Sequence, residues 1–452
     1  MARADRSRRA PSGKPGQRRV RVALIGWGTI GSGVIKMMRG SHDALSDRLG
    51  APLELARVAD LDLTSKRSVR VPKSLLTKDT KAVLKDPDID IVVELIGGLE
   101  PARTFVLEAI ANGKAVVTAN KALLAHHGRE IFTAAEAAGV GFGFEASVGG
   151  GIPIIRTLRE ALGGDRHSAV FGIMNGTSNY ILSTMAAKGD GFSEVLAAAQ
   201  ASGLAEADPT YDVDGIDAAH KLALLVQLAF GVHIPLDAIH TEGIREVDEL
   251  DMAYAKELGY EIKLLAIAKQ LDDSIEARVH PTMIPTSNLL AGVDGAMNAV
   301  CLHGDALGPS MYYGAGAGMM PTATAVVGDI LDLARDRLGL GGPRLPPLGF
   351  AARDLQKARV RPIGDVVSEY YLRIQAKDQP GVLAEVAGHL GRAGISVESV
   401  VQRGRKSDGA VPMVFRTHET RERDLRRALA KVAALKTIKG TPVAIRIEEN
   451  PG

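Results

Sequence analysis

Residues 20–38 read VRVALIGWGTIGSGVIKMM. A continuous apolar run (Val20, Val22, Ala23, Leu24, Ile25) meets Gly26, Gly28 and Gly31 and passes into an amphipathic stretch. That is the pattern of a buried strand, a tight turn and a helix. The three glycines do different physical work. The first makes the turn, the second lets a pyrophosphate approach the backbone, and the third lets helix and strand pack closely. A second strand, LELARVAD (53–60), ends in Asp60, where an acid can meet the ribose hydroxyls of a dinucleotide. The spacing from Gly31 to Asp60 is long because GSHDALSDRLGA (40–51) reads as a polar, glycine-bearing loop.

The alternation continues. IDIVVELIGG (89–98) reads as a buried strand, PARTFVLEAIANG (101–113) as a helix stopped at Gly113, and AVVTANKALL (115–124) as another strand. Strands alternating with helices predict an α/β, doubly wound parallel sheet. Ligands on such sheets bind outside the carboxyl ends of the strands, where Thr118, Asn120 and Lys121 lie. The glycine-rich GVGFGFEASVGGGIPII (139–155) then reads as a crossover into a second domain.

Composition bounds the possibilities. A chain of 452 residues fits about three domains of about 150 residues each. The 55 Lys and Arg nearly cancel the 53 Asp and Glu, so no overall field favours nucleic acid. No apolar stretch reaches the roughly 18 residues a membrane helix needs. The one cysteine, Cys301, cannot form an internal disulfide, which fits a reducing compartment. A cytoplasmic protein binding neither nucleic acid nor membrane is expected. Residues 1–19 hold seven basic side chains and one acid among Gly, Pro and Ser, without the apolar core of a secretory signal, and are expected to form a disordered basic tail.

Residues 203–221, GLAEADPTYDVDGIDAAHK, crowd Glu206, Asp208, Asp212, Asp214 and Asp217 against a proline and a glycine and close on Lys221. A calcium loop fails: with Gly215 at its sixth position, Thr210 stands where an aspartate belongs and Lys221 where the bidentate glutamate belongs. A solvated helix start explains Asp214 and Asp217 but not the acids beside Pro209. A helix starting near Asp214 puts Asp217 and Lys221 four residues apart on one face. The strongly apolar LALLVQLAFGV that follows predicts a buried helix with its lysine directed into protein or a cleft. There carboxylates raise, and burial lowers, the proton affinity of the amine, so Lys221 can be tuned to shuttle a proton. Other carboxylates can grip a substrate ammonium group, and beside a dinucleotide site this spells a dehydrogenase.

The string AQASGLAEADPTYDVDGIDAAHK resembles the signature of homoserine dehydrogenase. GWGTIG, TANKALL, EASVGGGIP, NGTSNY and YGAGAGMMPTA occur in the same order as in that family, over residues 20 to about 340. The resemblance implies interconversion of L-homoserine and L-aspartate 4-semialdehyde, with NADP or NAD as cofactor. It makes Lys221 the proton donor or acceptor, has Asp217 and Glu206 hold homoserine with Asp212 nearby, and places Thr177 in the same pocket. Trp27, Gly28, Thr29, Ile30, Gly31, Asp60, Lys121, Gly203 and Gly318 would meet the dinucleotide. Glu145 with the backbone oxygens of Val148, Gly150 and Ile152 resembles the family's sodium site. Asp60 suits a free ribose hydroxyl, while Lys66 and Arg67 further on suit a phosphate, so both nucleotides stay open.

After GLGGPRLPPLGF (339–350), rich in Pro and Gly as linkers are, the order strand, helix, strand, strand, helix, strand predicts a ferredoxin-like unit. KDQPGVLAEVAGHLGRAGISV resembles an ACT domain, a module that binds amino acids where its first strand meets its first helix. Asp378, Gly381, Gly394 and Ile395 would face that ligand, threonine is the implied feedback inhibitor, and a homodimer or homotetramer is implied. A chain cut after Leu345 is then expected to stay active and ignore threonine. The expected domains are a tail (1–19), a dinucleotide domain (20–150, completed by 315–340), an α+β substrate and dimerisation domain (151–314), a linker (341–368) and the ACT-like regulatory domain (369–449). A nucleotide- and amino-acid-sensing regulator would share the glycine turn and the tail but would not need the carboxylate-held lysine. Aspartate semialdehyde dehydrogenase needs a cysteine nucleophile, and Cys301 lies away from any recognisable base.

Overall fold

The computed structural model describes residues 18–341, 345–403 and 409–451. Residues 1–17 of the expected tail and 342–344 of the expected linker lie outside them. The chain divides into two compact units: residues up to Ala146 with Gly318–Pro347, and Ser147–Ala317 with everything from Leu348 onward.

The first unit carries six parallel strands: β1 (Val20–Ile25), β2 (Leu53–Ala59), β3 (Leu76–Thr77), β4 (Ile91–Glu94), β5 (Ala115–Thr118) and β6 (Phe142–Gly143). Their order is β3-β2-β1-β4-β5-β6, which reverses direction at β1 and β4 and opens a crevice at the strands' carboxyl ends. The helices α1 (Thr29–Gly40), α2 (His42–Leu49), α3 (Thr80–Lys85), α4 (Ala102–Ala111) and α5 (Lys121–Ala138) connect them. β1, β4 and β5 are nearly unbroken apolar runs because a parallel sheet is covered on both faces. Val22, Leu24, Ile91, Val93 and Val117 share one core with Val34, Ile35 and Met38 of α1. The stretch 40–51, expected as a loop, is mostly helix α2. Leu45 and Leu49, one turn apart, are buried, and Gly50 ends the helix in the left-handed conformation. Burial of that pair overrides the poor intrinsic helix preference of Ser, His and Asp.

The second unit begins with α6 (Ile154–Arg156), β7 (His167–Ile173), α7 (Gly176–Lys188), α8 (Phe192–Ala201), α9 (Thr210–Val213) and α10 (Ile216–Phe230). It continues through β8 (Val232–His233), β9 (His240–Thr241), α11 (Glu249–Glu257), β10 (Tyr260–Gln270), β11 (Ile275–Pro285), β12 (Met297–Gly304) and β13 (Gly308–Ala315). α12 (Met319–Arg337) then returns to the first unit, where it packs on α1 so closely that a Cβ on Gly33 would lie 2.8 Å from the Met319 carbonyl oxygen. β14 (Gln356–Lys357) pairs with β8, so the segment expected as a plain linker is tied to the second unit.

The C-terminal fold is β15 (Val367–Lys377), α13 (Val382–Arg392), β16 (Val397–Gln402), β17 (Ala410–Thr417), β18 (Thr420–Arg421), α14 (Glu422–Ala433) and β19 (Val443–Ile447). Its main strands lie in the order β19-β15-β17-β16 over a core that includes Tyr370, Leu372, Val386, Leu390 and Phe415. β19 pairs in parallel with β11, Thr282 against Arg446 and Met283 against Ile447. The C-terminal sheet therefore continues the one before it, as β13-β12-β7-β10-β11-β19-β15-β17-β16, and β16 forms its far end.

Candidate active site

In the first unit the glycine turn has the geometry its sequence predicts. Gly26 has a positive φ of 107°, and a Cβ there would strike the Leu95 backbone at 2.7 Å. A Cβ on Gly31 would lie 2.3 Å from the Gly26 carbonyl oxygen, so turn and helix close on each other. Above Gly28, which caps α1, nothing lies within 4 Å of a Cβ. The first-turn amides of α1, at Thr29 and Ile30, stand at a helix N-terminus, where a phosphate is favoured by the dipole and by free N–H groups.

Asp60, just past β2, accepts the backbone N–H of Trp27 at 2.5 Å and that of Asp62 at 2.8 Å. The guanidinium of Arg67 sits over the Trp27 ring, 5.8 Å from its centre, and 4.0 Å from Asp60. A carboxylate and a cation, the latter also paired with Asp62 at 3.3 Å, thus stand side by side. At the ends of β4 and β5, Thr118 donates to the buried Glu94 at 2.6 Å. Asn120 caps α5 through the Leu123 amide and donates to the Gly98 carbonyl at 2.7 Å. These contacts fix the start of α5, whose first residue is Lys121. Glu94 is a candidate that sequence reading missed: it ends an apolar strand and looks like ordinary chain until its buried partners are seen. Gly318 caps α12 with a φ of 111°.

In the second unit the acidic run folds as α9, a left-handed Gly215 and α10. Every residue of α10 from Asp217 to Phe230 is buried. Lys221, only 8% exposed, donates from Nζ to Asp217 Oδ2 at 2.7 Å and to the Met174 carbonyl. Asn175 joins the acids. Its Nδ2 donates to Asp212 at 2.7 Å and to Asp217 at 3.0 Å, while its Oδ1 accepts the Ser178 amide and caps α7. Ser178 Oγ donates to the Asp212 carbonyl at 2.8 Å. Asn175 reads from sequence only as a polar turn residue; its hold on two carboxylates appears with the tertiary contact. Burial, with Asp217 and Asp212 nearby, holds the Tyr211 phenol above its usual range, and its hydroxyl meets the His220 ring.

Asp217, Lys221 and Asp212 are thus brought together. Thr177 opens the first turn of α7 and points its hydroxyl at the Leu204 carbonyl, 3.4 Å away. Glu206 is exposed, its backbone carbonyl accepts from Gln200, and its carboxylate makes no ion pair among the described residues. Gly203 has a φ of 75° after α8. Asp214 is taken by Arg245 at 2.5 Å, a partner the sequence does not reveal.

Of the residues expected at a sodium site, Glu145 belongs to the first unit, is buried, and its amide donates to Asp329 at 2.8 Å. Val148, Gly150 and Ile152 belong to the second unit and are buried as well, with Gly150 at a φ of 54°. In the C-terminal fold Asp378 follows β15, Gly381 caps α13 with a φ of 89°, and Gly394 and Ile395 precede β16. Nothing lies within 4 Å of a Cβ on Gly381.

A dinucleotide turn together with a buried lysine held by a carboxylate defines a nicotinamide-nucleotide oxidoreductase. The family described as "Homoserine dehydrogenase, NAD binding domain" matches residues 26–145, "Homoserine dehydrogenase" matches 153–331, and "ACT domain" matches 370–437. The homoserine dehydrogenase of Pseudomonas aeruginosa is 47% identical over 95% of this chain and 99% of its own, and that of Neisseria gonorrhoeae 45% over 95% and 98%. The crystal structure of a homoserine dehydrogenase from Thiobacillus denitrificans superposes with a TM-score of 0.89 at 46% identity, covering 96% of this chain and 99% of that one. The chain belongs to the homoserine dehydrogenase family. It is an oxidoreductase acting on the CH–OH group of homoserine with NAD(P), and it carries a C-terminal ACT domain. Among the described residues no helix is long and apolar enough to cross a membrane.

Proposed function

We propose that Lys221 moves the proton in the interconversion of L-homoserine and L-aspartate 4-semialdehyde, and that Asp217 holds its ammonium form. The observation that carries this is the buried Lys221–Asp217 contact at 2.7 Å. In oxidation a neutral Lys221 Nζ takes the hydroxyl proton as the carbonyl forms; in reduction its ammonium returns the proton to the oxygen. The bound nicotinamide nucleotide supplies the hydride acceptor or donor. Asp217 favours the ammonium form and burial of the amine opposes it, so the two act on the lysine's proton in opposite senses. Glu206, Asp212 and Thr177 complete the homoserine pocket in this reading.

Trp27, Gly28, Thr29, Ile30, Gly31, Asp60, Lys121, Gly203 and Gly318 are the proposed dinucleotide contacts. The nucleotide is NADP or NAD, Asp60 suiting a free ribose hydroxyl and Lys66 and Arg67 a 2′-phosphate. The absorbance of reduced nicotinamide, followed with L-homoserine and NAD or NADP in turn, tests this. Arg67→Ala should raise the KM for NADP and spare that for NAD, and equal changes in both would refute the division of labour. Glu206→Leu should chiefly raise the KM for homoserine.

Glu145 and the carbonyls of Val148, Gly150 and Ile152 are proposed to hold sodium, a hard cation suited to oxygen ligands. The protein should melt higher in sodium than in a bulky organic cation at equal ionic strength, and identical melting curves would remove the site. The enzyme is placed in the cytoplasm, in the biosynthesis of threonine, methionine and isoleucine, as a homodimer or homotetramer. The division into 20–150 with 315–340, 151–314 and 369–449 is retained as its domain scheme. Threonine is the proposed inhibitor, its carboxylate at the N-terminus of α13 between Asp378, Gly381, Gly394 and Ile395. Gly381→Asp should weaken inhibition, and an intact enzyme indifferent to millimolar threonine would refute it.

A further inference from the structure

We propose that a cavity of about 900 Å³ in the second unit is a ligand site of its own, suited to a small free α-amino acid with an aliphatic side chain. It lies where β19 and the first turns of α14 face the loop after β9, and it shares no lining residue with the Gly381 turn. Its walls carry both signs of charge. Glu242 and Glu246 come from the loop, Arg426 and Arg427 from α14, with the apolar surfaces of Val247 and Val443 beside them. A zwitterion needs a cation for its carboxylate, an anion for its ammonium and apolar cover for its side chain, and this wall offers all three.

The charged wall is fixed from behind. Arg446, 1% exposed, donates from Nε to Glu422 at 2.8 Å and from its two Nη atoms to Glu242 at 2.9 and 3.0 Å. Burial pushes the Glu242 carboxyl up, but hydrogen bonds from His240 and Arg446 outweigh it and hold the group far below its usual range. Arg426 bonds Glu422 at 2.7 Å and Glu242 at 3.3 Å. Arg427 is exposed and only loosely paired, 3.8 Å from Asp424, which leaves it for a ligand carboxylate. Glu246, also exposed, is left for the ammonium.

The other face of this loop touches the acidic run. The Ile244 amide donates to the Val213 carbonyl at 2.8 Å, and Arg245 holds Asp214. A Cβ on Gly243 would lie 2.5 Å from the Val213 carbonyl oxygen and 2.7 Å from Asp214 Cα, so loop and run meet without slack. A ligand that shifts the loop shifts Asp212 and Asp217 with it, and the KM for homoserine should change more than that for the nucleotide. This coupling rests on the acidic run holding the substrate; binding in the cavity does not.

The test uses the full chain, titrated by calorimetry with L-valine, L-leucine and L-isoleucine. Wild type is compared with Glu246→Lys, Arg427→Glu and Gly381→Asp; the first two alter exposed side chains and should leave the fold intact. At least one amino acid is expected to bind once per chain at millimolar concentration or below. Each cavity variant should weaken binding about tenfold or more, and Gly381→Asp should keep it. No binding by any of the three, or binding lost in Gly381→Asp and kept in both cavity variants, overturns the site. Cavity-dependent binding that leaves the homoserine KM unchanged overturns the coupling. If Asp212→Asn also leaves that KM unchanged, the placement of the substrate has failed rather than the cavity.

Discussion

The six-stranded sheet of the first unit and the long mixed sheet of the second hold their candidate sites by different means. At the end of β1 the surface is mostly backbone: a turn closed by Gly26 and Gly31, an open place above Gly28, and the N-terminus of α1. In the second unit it is side chains holding side chains. Asn175 reaches Asp212 and Asp217, Arg245 reaches Asp214, and the same kind of contact runs on into the C-terminal fold. There Arg446 grips Glu242 and Glu422, and Arg373 donates to the fully buried Asp251 at 2.7 and 3.0 Å. A backbone site tolerates any change that leaves its turn intact. A charge network fails when one member is lost, because the others stay buried without a partner.

Substitutions in the two sheets should therefore differ in kind. The largest effect is expected for Arg446→Met, which leaves Glu242 and Glu422 without their shared cation and should cost about 3–5 kcal/mol in denaturant unfolding. For the same reason a chain cut after Leu345 should lose stability. It uncovers the edge of β11 and strips Arg446 from Glu242 and Arg373 from Asp251. If such a chain melts like the intact enzyme, the two folds are joined only by name.

In the first unit Gly31→Ala should cost about 1–3 kcal/mol, since its Cβ has only 2.3 Å to the Gly26 oxygen. Asn175→Asp keeps a good helix cap but sets a third carboxylate beside Asp212 and Asp217. The two lost donors and the added charge should cost about 1–3 kcal/mol, and kcat/KM should fall about tenfold or more. Gly28→Ala should be smallest in stability, within about 0.5 kcal/mol, yet should raise the nucleotide KM. A large stability loss at Gly28, or none at Gly31, would break the contrast.

Acid sharpens it further. Glu242 and Glu422 both have carboxyls held below the usual value of 4.5: burial pushes each up, and hydrogen bonds and cations including Arg446 outweigh it. A depressed carboxyl contributes stability that is complete above its unfolded pKa and lost as pH falls through the folded one. The stability gap between wild type and Arg446→Met should thus be widest near neutral pH and narrow below about pH 4.5. A gap that stays constant on acidification would mean that packing, not charge, holds that seam.

The contrast also explains what the sequence made legible. The turn at 26–31, the strand–helix alternation, the ferredoxin-like order of the tail and the Asp217–Lys221 spacing are local, and each follows from chain geometry within a few residues. The helix at 42–49 is not legible locally, because its two leucines count only once the sheet is present to bury them. Asn175 and Arg245 act on acids 42 and 31 residues away, and no local pattern announces such a reach. The pairing of β19 with β11 joins distant parts of the chain, and no local spacing announces it.

The proton shuttle itself is tested most directly by replacing its amine. Lys221→Ala should oxidise homoserine about a hundred- to ten-thousandfold more slowly at unchanged nucleotide affinity. Added methylamine, small enough to occupy the space of the lost side chain, should restore part of the rate in proportion to its neutral form. Turnover at the wild-type rate in Lys221→Ala without any added amine would contradict a proton-transfer role for the lysine that Asp217 holds.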